Sequence, residues 1–197
     1  MGARNTLIIS LSGTIIGFLI GILIGIIRTI PIDHNTSMPA KIVYQIVNFF
    51  LLCYIEVFRG TPMIVQAMVV FYGAAMLYNV HLSPIPAGIF IVSINTGAYM
   101  AEIVRGGILS VDKGQFEAAH SIGMTHAQTM ASIVLPQALR SILPATSNEF
   151  VINIKDTSVL SVISVTELFF LSKSVAGINY RYFEVFLITC IIYFIMT

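Results

Sequence analysis

The sequence predicts an all-α integral membrane protein with five transmembrane helices, organised as a single domain over residues 1–197. Two observations predict it. The 197 residues are 57% hydrophobic and 10% charged, with a mean hydropathy of +0.92. Soluble domains carry roughly 25% charged residues, so this chain has too little polar surface to face water all round. Five apolar stretches also approach the ~20 residues that a helix rising ~1.5 Å per residue needs to cross ~30 Å of hydrocarbon.

The first stretch, residues 7–27, is too long for a signal-peptide core and no small-residue cleavage site follows it. Gly13, Gly17, Gly21 and Gly25 recur every fourth residue, which puts four glycines on one face and predicts close approach of a second helix. Residues 39–58 are apolar but interrupted by Lys41, Gln45, Asn48 and Glu56. They read as an elbow helix near the interface, with a sixth span as the competing reading. Gly60 and Pro62 then bracket a sharp bend, because glycine accepts unusual dihedrals and proline cannot continue a helix from before it. Arg59 reads as a cytoplasmic anchor there, and residues 62–78 form the second span.

The third span covers residues 87–104. Asn95, Tyr99 and Glu102 fall at i, i+4 and i+7 and share one face. A polar face inside a bilayer must look at protein or water. It either lines a path or bonds a neighbouring helix, and Glu102 is expected to pair with Arg105 or Arg59. A polar loop of about 112–136 follows. The fourth span, roughly 142–162, carries Glu149, Lys155 and Asp156, with Asn148, Asn153, Thr157 and Ser158 beside them. A charge at the bilayer centre costs about 2.5–3.5 kcal/mol on insertion scales, so such residues normally face a cavity. Glu149 and Asp156 are seven apart and share a face. Lys155 joins them only if the helix unwinds nearby. The fifth span, 183–196, lacks the polar anchors that normally close a membrane helix, so the C-terminus reads as truncated.

A formal net charge of +1 gives no basic footprint for nucleic acid. Cys53 and Cys190 lie in apolar runs and read as buried small hydrophobes. His34, His81, His120 and His126 lack metal-ligand spacing, so no metal site is expected. Lysine and arginine in the loops set orientation. Arg28, Lys41, Arg59, Arg105, Lys113 and Arg140 fall on one side, and Arg4, Lys173 and Arg181 on the other. The first set is expected in the cytoplasm, which places the N-terminus outside and the 112–136 loop inside.

That loop holds Glu117-Ala118-Ala119, three residues, Gly123, nine residues, then Ile133-Val134-Leu135-Pro136. Three further strings accompany it. They are Glu56-Val57-Phe58-Arg59-Gly60-Thr61-Pro62 leading to Gln66; Asn95-Thr96-Gly97-Ala98-Tyr99 with Ala101-Glu102-Ile103, Arg105-Gly106-Gly107 and Ile108; and Lys155-Asp156-Thr157-Ser158. Together they resemble the polar amino acid uptake permeases, a branch of the membrane subunits of bacterial ABC importers. The histidine, glutamine, arginine and glutamate permeases are its familiar members. The resemblance runs from about Asn5 to the end. It departs at the missing basic tail and at Phe116, where the family more often has Trp or Tyr.

The resemblance implies a type I permease fold in the bacterial plasma membrane. It also implies that Glu117, Ala118, Ala119 and Gly123 belong to a cytoplasmic coupling helix that docks into a groove on an ATPase subunit. The residue types suit that role. The alanines give a smooth face, Glu117 a fixed charge, Gly123 a left-handed helix end and Thr125 a cap for the next helix. The resemblance further implies that the spans carry amino acids, with Glu149, Lys155, Asp156, Asn95 and Tyr99 as the candidate substrate contacts. An acid can meet the cargo's ammonium group and Lys155 its carboxylate; an internal salt bridge is the competing reading. Implied partners are an ABC ATPase dimer, a second permease subunit (identical or a paralogue), an extracytoplasmic amino acid-binding protein and the lipid bilayer. No G-x-x-x-x-G-K-[ST] string is present, so ATP is expected on the separate subunit and this chain is expected to bind no cofactor and catalyse nothing. An ion-coupled carrier or channel using Glu149, Lys155 and Asp156 is the alternative, but it leaves the 117–136 pattern unexplained. A membrane-embedded hydrolase finds no nucleophile–base arrangement.

Overall fold

The structure is a computed structural model that describes residues 1–32 and 37–197; His34 lies outside the described residues. Among them it is all helical. The order is α1 (Gly2–Ile27), α2 (Met38–Gly60), α3 (Met63–Tyr78), α4 (Pro84–Leu109), α5 (Lys113–Ser121), α6 (His126–Thr129), a π-helical turn (Met130–Val134), α7 (Leu135–Asp156), a 3₁₀ segment (Thr157–Ile163), α8 (Leu168–Asn179) and α9 (Tyr182–Met196).

α1 and α4, each of 26 residues, run parallel as the central pair. The glycine stripe fills from α4. Gly13 meets Val92, Gly17 meets Thr96, Gly21 meets Met100 and Gly25 meets Val104, so both chains advance four residues per contact. A hydrocarbon solvent supplies no hydrophobic drive between helices. The pair is held by the close packing that glycine permits.

α7 lies against both helices through Asn153. Its side-chain nitrogen donates to Thr14 Oγ1 at 2.8 Å and to Thr96 Oγ1 at 2.9 Å, and all three residues are buried. At the N-terminal end of α1, Ile9, Ala67, Ala87, Ile91, Leu160 and Ile163 form one apolar core. At the opposite end Val104, Ile108, Met130, Val134, Ala138 and Ile142 form another. The N-terminus and the 112–136 loop therefore lie at opposite ends of the bundle.

By length and composition α1, α2 and α4 are each apolar enough to cross a membrane, and the bent unit His126–Ile163 with Leu168–Asn179 raises the number to four. α3 and α9, at 16 and 15 residues, are shorter. This revises the elbow reading of residues 39–58. α2 is a continuous 23-residue helix with Ile55 as its buried residue. It starts at the loop end, where Tyr44 Oη donates to the Arg28 carbonyl at 3.5 Å. It ends beside Asn95, whose amide donates to the Phe58 carbonyl at 3.3 Å. α3 continues to the other end, where Tyr72 Oη donates to the Val162 carbonyl at 3.2 Å. α2 and α3 are thus one broken path. The bend at Gly60–Pro62 occurs as expected, but halfway along α4 rather than at the interface.

Cys53 and Cys190 are free and exposed on the chain, not buried. An apolar run in a membrane helix faces lipid or a neighbouring subunit as readily as its own core, so apolar sequence does not imply burial here.

Candidate functional site

Two regions carry the residues singled out in the sequence. The first is the interior layer around the midpoint of α4. Asn95 is buried there, and its amide donates to Gln66 Oε1 at 2.9 Å. Gln66 in turn donates to the carbonyls of Phe58 and Thr61, both at 2.9 Å. A broken helix leaves carbonyls without their usual partners, and these two amides satisfy them. Asn95 therefore acts as helix-to-helix glue, one of the two roles its position allowed. Gln66 had appeared in the sequence only as the end of a string.

On α7, Glu149, Asn153 and Asp156 are spaced i, i+4 and i+7 and share the face that meets α1 and α4. Glu149 is 8% exposed and Asp156 half-buried. Among the described residues neither carboxylate has a salt bridge; the ion pairs found are Arg28–Glu102 and Arg105–Glu102.

Lys155 does not join them. α7 stays α-helical through Asp156 and tightens to 3₁₀ only from Thr157. Lys155 therefore points away, into a separate cavity of about 360 Å³ lined by Phe169, Phe186, Thr189 and Tyr193. The unwinding on which convergence of the three charges depends is not seen, and α7 carries an acid pair on one face with Lys155 on another.

Tyr99 is 36% exposed, and the Arg59 guanidinium lies over its ring, 5.5 Å from the centroid. Glu102 pairs with Arg105 at 2.8 Å, as expected, but its second partner is Arg28 rather than Arg59. Arg59 is consequently no interfacial anchor. It projects from the end of α2 at the depth of Tyr99, in the third turn before the end of α4.

The second region is the loop. Asp112 caps α5 by accepting from Gly114 N at 2.6 Å. α5 ends at Gly123, whose φ of +83° lies in the left-handed region, and Met124 N bonds back to the Ala119 carbonyl at 3.1 Å. Thr125 and Gln128 then form a reciprocal capping box on α6. Glu117 and Ala118 are exposed, whereas Ala119 is 1% exposed and faces the chain's own interior. The smooth outward face expected of both alanines is therefore supplied by Ala118 alone. Behind α5 a cavity of about 380 Å³ is lined by Thr29, Leu109, Phe116, Glu117, His120 and His126. Burial, and then the charge of nearby His120, hold the His126 pKa below its usual value. Among the described residues no group of three or more His, Cys, Asp or Glu side chains is placed to hold a metal.

Comparison with known proteins matches this architecture. The chain is 38% identical over 197 residues to the glutamine transport system permease protein GlnP of Escherichia coli, covering 100% of this chain and 84% of that one. It is 46% identical over 126 residues to the L-cystine transport system permease protein TcyB of Bacillus subtilis, covering 64% and 53% of the two chains. A crystal structure of an amino acid ABC transporter with histidines superposes with a TM-score of 0.82 at 38% identity, covering 99% of this chain and 85% of that one. The inward-facing MetNI methionine ABC transporter shares the fold, with a TM-score of 0.75 at 18% identity. Residues 36–197 match the family described as the binding-protein-dependent transport system inner membrane component, and the chain belongs to that family.

Proposed function

We propose that this chain is the transmembrane subunit of an ATP-driven importer of polar amino acids. The observation that carries the reading is the acid pair on α7. Glu149 and Asp156 sit one turn to either side of the buried Asn153, within a helix packed on two candidate spans, and among the described residues no salt bridge neutralises them. Ionisable groups so placed mark a substrate or ion path. An amino acid's ammonium group is a fitting partner. The relatives named for glutamine and cystine, and the transporter solved with histidines, support the same cargo class.

In this reading the protein contributes no catalysis. A separate ATPase subunit hydrolyses ATP and docks against Glu117 and Ala118, and Gly123 sets where α5 ends. A second permease subunit closes the path, and a binding protein delivers cargo from the side opposite the loop. The loop end is cytoplasmic and the N-terminus external, in keeping with the basic residues gathered at the loop end.

The test is reconstitution of the complex with its ATPase and binding protein in liposomes. ATP inside the liposomes should drive uptake of radiolabelled glutamine, arginine or histidine, and collapse of ion gradients should leave uptake intact. Uptake that ignores ATP but stops with the ion gradient would establish an ion-coupled carrier instead.

A further inference from the structure

We infer that Arg59 is the group that receives the cargo's α-carboxylate. The inference rests on the amino acid reading above and adds the residue that reads the anionic end of the cargo. Its starting point is depth. α4 is a 26-residue candidate span, and Asn95 stands near its middle. Three contacts fix the end of α2 against that middle. Tyr54 Oη donates to the Ile94 carbonyl, Asn95 donates to the Phe58 carbonyl, and Arg59 lies over the Tyr99 ring. Arg59 therefore sits level with Tyr99, between the middle of α4 and the Glu102 ion pairs, although its sequence neighbours look like a loop.

It is also exposed on the chain, and among the described residues it has no ion pair. An arginine at that depth cannot face hydrocarbon, where the insertion cost is about 2.5–3.5 kcal/mol even on the most lenient scale. It must face a water-filled path or an anion. Tyr99 holds the guanidinium by one face, as a cation over an aromatic ring, and leaves its N–H edge free to donate. A guanidinium edge matches a carboxylate in a two-pronged bond, which an ammonium group does not.

Arg28 and Arg105, at the level of the next turn of α4, are already paired with Glu102, and Lys155 opens into a different cavity between α7 and α9. With Lys155 turned away, the charges nearest the middle of α4 are the two acids on α7, beside the buried Asn153, and the exposed arginine at the end of α2. That is the charge complement of a cation-bearing amino acid with a free carboxylate.

The test uses the detergent-solubilised complex with its ATPase and without binding protein. Equilibrium binding of radiolabelled glutamine, arginine and histidine is compared with binding of their α-carboxamides, which lack the carboxylate. The wild type should prefer the acid by about tenfold or more, the range expected for one charge-assisted hydrogen-bonded contact. Arg59→Gln should abolish that preference while complex yield persists. Arg59→Lys, which keeps the charge and loses the fork, should retain a reduced preference. An undiminished preference in either variant overturns the role of Arg59 and leaves the amino acid reading standing. A wild type that binds none of the three amino acids overturns both. If Arg59→Gln fails to assemble, Arg59→Lys alone decides, and full wild-type discrimination in it defeats the proposal.

Discussion

Gly17 lies so close to Thr96 that a Cβ on the glycine would stand 2.7 Å from the threonine Cβ. The same Thr96 hydroxyl accepts from Asn153 at 2.9 Å. The glycine stripe and the polar knot are therefore one structure. α1 must approach α4 this closely for Thr14 and Thr96 to reach one amide on α7.

Gly17→Val should consequently do two things. It overpacks the seam, at a cost of about 1–3 kcal/mol, and it displaces Thr96 from Asn153. A clear fall in the melting temperature of the purified complex is expected. Gly73 on α3 has open space where a side chain would go, so Gly73→Ala should leave the melting temperature unchanged. Equal effects from the two variants would contradict the packing assignment.

The loop should respond to pH. The fold holds the His126 pKa below its usual value, chiefly by burial and then by the charge of His120. Lys113 and Glu117 also face the shared cavity. A depressed histidine pKa means that the unfolded loop binds protons more readily. The stabilising contribution is complete above about 6.5 and is lost as pH falls through the folded value. Hydrogen-exchange protection across residues 113–129, corrected for the intrinsic exchange rate at each pH, should therefore fall between about pH 7.5 and about pH 5.5, on either side of the unperturbed value. His126→Gln should flatten the change, and a wild type with no change would refute the assignment.

Most of the long helices are legible in the sequence because each is written in its local pattern, whereas α8 lies outside every stretch read there as a helix. The four-residue glycine spacing announced a seam, and the filling helix proved to be α4. The left-handed end at Gly123 and the Thr125 cap were equally readable, since both depend on residues within one turn. What escaped the reading was depth. The sequence groups Arg59 with the cytoplasmic cations because a Gly-Thr-Pro bend looks like the edge of a membrane. Only the long-range bonds from Asn95 to Phe58 and Gln66 place that bend against the middle of α4. Lys155 turned on whether α7 unwinds. It stands next to Asp156 in sequence, and a regular helix turns consecutive residues about 100° apart.

Glu117 is exposed on α5 and bonds nothing through its carboxylate among the described residues, so Glu117→Lys should leave folding and insertion intact. If the helix docks on an ATPase, the reversed charge should abolish substrate-stimulated ATP hydrolysis in the reconstituted complex. Gly123→Asp should act similarly by straining a residue held at φ +83°. Normal stimulation in both variants would exclude docking through this helix.

The acid pair separates the transport reading from a structural one. Glu149→Gln and Asp156→Asn are close in volume and remove only charge. If the carboxylates meet cargo, each variant should lower uptake by about tenfold, the weight of one charge-assisted contact, while complex yield and basal ATPase activity hold. Lys155 makes the contrast. In a site of three converging charges, Lys155→Met would be as damaging as either acid variant, because a buried partner would be left unpaired. Here Lys155 is exposed and turned toward Phe186 and Tyr193. Lys155→Met should therefore cost little uptake, less than threefold on the scale of exposed charge pairs worth about 0–1 kcal/mol. Measured side by side, uptake by the three variants places the cargo contact on the α7 face that carries Glu149 and Asp156. An equal loss in all three would return Lys155 to the site and require α7 to unwind during transport.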